Sequence, residues 1–432
     1  MIPLMLLVGF ARATNYTVDI CGQIGVDFID ADSGNGDDYV TSSGPMKARG
    51  AHIQVLKYGP APLHIYDSVI ADYWASTSGS YPGCIPISLV LDSTQSYKMR
   101  IYSEATVNGQ AIQVFDDPAT YDLTEFSSAS YYVPTANGTW TMTTSGDYEI
   151  WNILAAGSYA VYRNELGNSS GTILACKDTG SFFGQGTSSE DRVHIKGAAG
   201  DAGYQHKYVI AHEFGHALLY QRENHSGATY SAGDGACPGI YPPDSTGHWF
   251  VSKEWQGAAF WEGFAQYYAA ATFNNHTTET DCAYVTYKDY DFDQDGNNEP
   301  DQSVDCAGDP LVQDYPTESP ASFTVTGTNY LDTYCDATFL LDCGSFHNCN
   351  RGTELDWLQF LWHLDTADSM EPEDFADIYS DAWVNGGGWA YTGNGHGSGY
   401  PGYELLQAAV RLHSGTWGAA WDTSDGTYGV DR

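Results

Sequence analysis

The feature that most restricts the fold is a change of hydrophobic period near residue 146. Before it, from residue 14 to about 125, the stretches AHIQVLKYG, IPISLVLD, SYKMRIYSEA and QAIQVFDD largely alternate apolar and polar side chains, with Gly, Pro, Asn and Ser between them. A period of two puts every second side chain on one face of a strand, so this region predicts an antiparallel β-sandwich. After the change, apolar positions recur at helical spacing. GDYEIWNILAAGSYAVYRNEL keeps residues 150, 151, 154, 155, 161 and 162 on one face. YQHKYVIAHEFGHALLYQREN, SKEWQGAAFWEGFAQYYAAATF, TELDWLQFLWHLDTA, EPEDFADIYSDAWV and GYELLQAAVRLH read as further helices, and EDRVHIKG as a short strand. The Ser/Thr-rich residues 126–145 between the two regimes read as a linker. At 432 residues the chain exceeds one small core. The expectation is a multidomain protein, with an all-β sandwich at 14–125 followed by an α+β domain at 146–432.

Charge and export signals narrow the setting. With 55 acidic against 17 basic residues, the net charge is −38. Such a field repels nucleic acid and anionic membranes, which excludes both as partners, and it favours calcium. Residues 1–13, MIPLMLLVGFARA, read as a secretory signal peptide: Ile2–Phe10 form the apolar core, and Ala11, Arg12 and Ala13 the small-residue cleavage site. No later stretch is apolar for long enough to span a membrane. The chain has nine cysteines and no C-x-x-C pair, a usage that suits an oxidising compartment where most thiols pair. Five of them, from Cys282 to Cys349, fall in an Asp-rich insert at about 280–350. Together these features describe a secreted, extracellular protein.

The chemistry concentrates in VIAHEFGHALLY, residues 209–220. His212 and His216 stand four apart, which on a helix stacks both rings on one face, where they can share a cation. Glu213 sits about 100° round the same helix, within reach of a water beside that cation. Imidazole nitrogen suits zinc, and a glutamate so placed can take the proton of a water attacking a carbonyl. A third ligand is needed. The pattern H-E-x-x-H-x-x-G-x-x-H fails, because Leu219 and Arg222 stand where it requires glycine and histidine. His225 and His248 remain open by spacing alone. Glu262, in FWEGFAQYYAA, is the better candidate: its helical neighbours Ala258, Ala265 and Ala269 are small, and a carboxylate on such a face is costly unless a cation offsets it. His363, Tyr267 and Tyr268 are candidate donors to a developing oxyanion.

H-E-x-x-H followed by a downstream E-G-x-A helix resembles the gluzincin metallopeptidases. The resemblance implies a zincin-like fold for 146–432, with His212, His216 and Glu262 as zinc ligands and Glu213 as general base. It also implies a mixed sheet beside the active-site helix, with the strand at about 192–196 near the substrate cleft. Two departures leave the subfamily open: Glu262 lies 46 residues past His216, and Gln266 stands where thermolysin-like enzymes carry an aspartate. The stretch from ARGAHIQVLKYG to SYKMRIYSEA resembles the transthyretin-like and carboxypeptidase-regulatory-like modules, which bind or space rather than catalyse. Cys21 and Cys84 are that region's only cysteines, and they are expected to pair.

DFDQDGNNEPD, residues 291–301, places Asp291, Asp293, Asp295, Asn297 and Glu299 at calcium-loop spacing around Gly296. Gln302 replaces the bidentate glutamate of an EF-hand, so the expectation is an irregular calcium site closed by Asp301 or Asp305. The function expected is that of a secreted zinc endopeptidase acting on protein or peptide substrates. The competing readings are an inactive secreted binding protein on the same scaffold, and a zinc hydrolase of a non-peptide linkage.

Overall fold

The computed structural model describes residues 13–28, 43–117, 119–164, 166, 171–178, 182–187, 190–196, 203–222, 254–274, 284–285, 303–304, 351–352, 357–358, 361–362, 364–366 and 369–385. The expected signal segment 1–12, the cysteines from Cys237 to Cys349 and the calcium-type residues Asp291, Asp293, Asp295, Asn297 and Glu299 lie outside the described residues.

Among the described residues nine strands precede the first helix: β1 (Asn15–Asp27), β2 (Ser43–Lys47), β3 (Ala51–Tyr58), β4 (Tyr66–Trp74), β5 (Leu89–Asp92), β6 (Ser96–Val107), β7 (Gln110–Phe115), β8 (Glu125–Ser127) and β9 (Gly138–Thr143). Then come α1 (Tyr148–Arg163), β10 (Thr172–Asp178), β11 (Phe182–Thr187), β12 (Glu190–Lys196) and α2 (Lys207–Arg222). The two-residue β13 (Glu254–Trp255) leads into α3 (Gln256–Phe273). Short β14 (Tyr284–Val285), β15 (Ser303–Val304) and β16 (Arg351–Gly352) precede α4 (Pro372–Asn385). The class is mixed α/β.

The expected alternation is fullest in β6. Met99, Ile101, Ala105 and Val107 are buried, while Lys98, Arg100, Tyr102 and Glu104 between them are partly exposed. One sheet runs β2-β1-β5, with β9 parallel to β1. The other runs β11-β12-β10-β7-β6-β3-β4, with β8 also on β6. The two sheets meet where β1 crosses β3 and β6: a Cβ at Gly22 would lie 2.9 Å from Ile53 Cδ1 and 3.0 Å from Ile101 Cδ1. Only a glycine lets them come so close. Cys21 and Cys84 form a disulfide beside this crossing.

Pairing is antiparallel for most early strands, but β9 on β1, β7 on β10 and β10 on β12 are parallel. The ladder from β7 to β10 joins residues on either side of 126–145. That stretch, set apart as a linker by composition, itself contributes β8 and β9. Its serines and threonines fit because β8 and β9 lie largely at the surface, where polar side chains face water. The hydrophobic cluster is likewise continuous, running from Val18 in β1 through Ile112 and Leu154 to Tyr379 in α4.

α1 differs from its expected one-sided pattern. Ile150 to Val161 are all buried, because the helix lies among β1, β6, β7, β10 and α2. Its polar Asn152 is accommodated by pairing. The side chain accepts from Asp27 N–H at 3.0 Å and donates to the carbonyls of Asp27 at 2.8 Å and Tyr204 at 3.0 Å. Among the described residues no helix is long and apolar enough to cross a membrane.

Candidate metal centre

α2 is apolar or small on most sides, and its residues Lys207 to Gln221 are all buried. Two consecutive residues inside the H-E-x-x-H stretch hold it in place. The Phe214 ring rests on Gly157 of α1, so closely that a Cβ at Gly157 would lie 2.3 Å from Phe214 Cζ. Gly215 faces α3, where an added Cβ would meet Tyr268 Cδ1 at 3.1 Å. The helix is thus wedged between two neighbours, with His212 and His216 on either side of the wedge. Side-chain mobility at the site falls accordingly, since close-packed interiors leave few rotamers.

α3 brings the third group. The His212 and His216 Nε2 atoms are 3.0 Å apart, and Glu262 Oε2 lies 3.1 Å from the first and 3.2 Å from the second. Both imidazoles are buried, at 2 and 3 % exposure, and the Glu262 side chain is 14 % exposed. Among the described residues this is the group of three or more His, Cys, Asp and Glu side chains that could hold a metal ion. The donor set fits a four-coordinate ion well. Donors 2.0–2.1 Å from a tetrahedral zinc lie ~3.3 Å from one another, close to the spacing here.

The three groups also act on one another electrostatically. Burial by itself pushes the Glu262 carboxyl up, but the His216 and His212 imidazoles beside it outweigh burial and hold it well below the usual carboxylate range. The shift reflects how closely the carboxylate approaches the two rings. Glu213, the candidate base, is 5 % exposed on the same helix.

Other expected features also find places. Of the small residues around Glu262, Ala265 and Ala269 are fully buried, and α2 packs along α3. Arg222 does not lie idle where another zinc-enzyme pattern requires histidine. Its Nε donates to Asp377 Oδ1 at 2.6 Å, and its Nη2 lies 3.6 Å from Glu373, so it ties the end of α2 to α4. Gln266 is buried at 2 %. The candidate oxyanion donors Tyr267 and Tyr268 are committed elsewhere. Tyr267 donates to Asp365 Oδ2 at 2.7 Å and Tyr268 to the Asn164 carbonyl at 3.1 Å. Burial pushes both phenols well above 10, in Tyr267 with help from the Asp365 charge. His225, His248 and His363 lie outside the described residues.

Three residues escape a reading by spacing. Asn164, just past α1, donates to the Tyr268 carbonyl at 3.2 Å and to Thr272 Oγ1 at 2.8 Å, which fixes α3 against α1. Gly157 looks like a helix-weakening glycine until its partner Phe214 is known. Trp261 stacks on His216, with ring centroids 5.1 Å apart and planes 12° from parallel. The one signal available for it is its adjacency to Glu262. Comparison with known protein families and with curated proteins finds no match to this chain.

Proposed function

We propose that the chain is a secreted zinc-dependent endopeptidase of gluzincin type. One observation carries the reading: His212 Nε2, His216 Nε2 and Glu262 Oε2 converge within 3.2 Å of one another, with Glu213 one residue along from the first ligand. In this reading residues 146–432 are the catalytic region, zincin-like in fold, and 14–125 a β-sandwich accessory module that shares a sheet with it. An insert at about 280–350 carries a calcium loop at 291–301.

Zinc, when bound, supplies a Lewis acid and an acidified water. The protein residues do the rest. His212, His216 and Glu262 would hold the ion from two packed helices. With a divalent ion bound, their single carboxylate would leave net positive charge for a developing oxyanion. Glu213 takes the proton from the attacking water and hands it to the departing amine. The buried walls of α2 and α3 keep bulk water from competing.

The test is metal content together with casein or peptide cleavage, for wild type and Glu213→Gln. The expected result is about one zinc per chain in both, with cleavage in wild type alone. Full cleavage by Glu213→Gln overturns the mechanism. Zinc bound with no peptide cleaved points to a binding protein or to a non-peptide linkage, which a substrate screen separates.

A further inference from the structure

Two residues of α3 reach the same imidazole. Glu262 Oε2 lies 3.2 Å from His216 Nε2, and the preceding Trp261 covers the face of that ring. We infer that Trp261 is a positioning residue of the metal centre, whose indole sets how tightly His216 holds the ion. The inference rests on reading His212, His216 and Glu262 as ligands.

An imidazole serves as a ligand only while its Nε2 lone pair points at one place. Rotation about the bond joining ring to Cβ is the soft motion that swings it away, since such torsions have broad wells. A second ring lying 12° from parallel, at a centroid distance of 5.1 Å, blocks that rotation. Trp261 is itself held. It is 7 % exposed, and Tyr379 of α4 lies against it with centroids 6.0 Å apart and planes tilted by 48°. Tyr379 in turn stacks on Phe260 at 4.9 Å and 5°. The row of rings from Phe260 through Tyr379 to Trp261 therefore anchors His216 to both α3 and α4.

Electrostatics act in the same direction. A metal withdraws electron density from its ligand ring, which makes that ring more positive. An electron-rich indole face attracts such a ring more strongly than a neutral one. Trp261 therefore favours the loaded state over the empty state, beyond any part it has in packing. Partners that orient metal-binding histidines commonly change affinity by about 10- to 100-fold when removed.

The experiment is competition for zinc between the full chain and a chromophoric chelator. Its subjects are wild type, Trp261→Leu and Trp261→Phe, with thermal unfolding of each apo chain measured alongside. Trp261→Leu should weaken zinc binding by about 10- to 100-fold while the folded apo chain persists. Trp261→Phe, which keeps a ring face, should recover most of the loss. Trp261→Met, a flexible apolar filler, answers the question should the leucine variant fail to fold. Equal zinc affinity in wild type and a folded variant without the ring overturns the role of Trp261 and leaves the metal centre intact. A wild-type chain that takes no zinc overturns both.

Discussion

Among the described residues, two of the histidine–carboxylate groups are built in opposite ways. On the outer face of the larger sheet, His52 of β3 has one carboxylate for each nitrogen. Its Nδ1 lies 2.7 Å from Glu104 Oε1 of β6, and its Nε2 contacts Asp72 of β4. Gln113 donates to Glu104 at 3.2 Å and Gln54 to Asp72 at 3.0 Å, while Tyr102 and Trp74 flank the ring at 4.7 and 4.9 Å. A proton completes this network. The Glu104 contact, helped by Asp72, raises the His52 pKa against the opposing effect of burial, and the His52 contact lowers both carboxylates. At the other site two imidazole nitrogens face each other at 3.0 Å and share one carboxylate oxygen. All three of those atoms could ligate a single metal ion. The residue types are alike, and connectivity separates a clamp across β6, β3 and β4 from a candidate metal centre.

That contrast can be broken, and the largest effect expected is catalytic. Glu213→Gln should lower peptide hydrolysis by about 10²- to 10⁴-fold with zinc retained, whereas His52→Phe should leave turnover unchanged. Comparable losses in both variants would sink the distinction. The next effect is on stability. Zinc at a hundred times its dissociation constant should stabilise wild type and His52→Phe by ~2.7 kcal/mol, and His216→Ala by nothing measurable. Chelator titration during thermal unfolding reads this directly, and a zinc-dependent shift in His216→Ala means the ion binds elsewhere.

A smaller effect tests the wedge that holds α2. Gly157→Ala drives a methyl into the Phe214 ring, so it should cost about 1–3 kcal/mol by urea denaturation. A neutral result means that α1 and α2 can separate without loss. The smallest effect belongs to His52. Its pKa is raised above 6.5 in the folded chain, so its stabilisation is full below pH 6.5 and is lost as pH rises through the folded value. Asp72 and Glu104 are lowered from 3.8 and 4.5, so theirs is full above those values and is lost as pH falls through the folded ones. The clamp should therefore contribute most between pH 4.5 and 6.5. With the Asp72 side chain 56 % exposed, the contribution should be no more than ~1 kcal/mol. The gap in urea midpoint between wild type and His52→Phe should narrow from about pH 5.5 to about pH 8.5. An equal gap at both would show that His52 acts through packing alone.

Much of this is legible in the chain itself. The period-two stretches become β3, β5, β6 and β7, and the pairing of Cys21 with Cys84 follows from their being alone in their region. EDRVHIKG becomes β12, and the H-E-x-x-H stretch becomes α2. Local rules suffice there, because strand alternation and helical spacing are properties of neighbours in sequence. The one-sided face expected for α1 did not survive, since two sheets and a second helix enclose it, and no local pattern records how many partners a helix will have.

By itself, then, the sequence determined which atoms can act as ligands and that two of them share a helical face. It also offered Glu262 as a third on the strength of its alanine neighbours, with His225 and His248 left open. Only the tertiary structure decided that Glu262 crosses a 46-residue interval to within 3.2 Å of both histidines. It also decided that the Tyr267 and Tyr268 hydroxyls bond to Asp365 and Asn164, and that Trp261 lies on His216. The physical reason is that these contacts depend on how closely α1, α2 and α3 approach. That distance is set where Phe214 meets Gly157 and Tyr268 meets Gly215, pairs far apart in the chain and brought together only by packing.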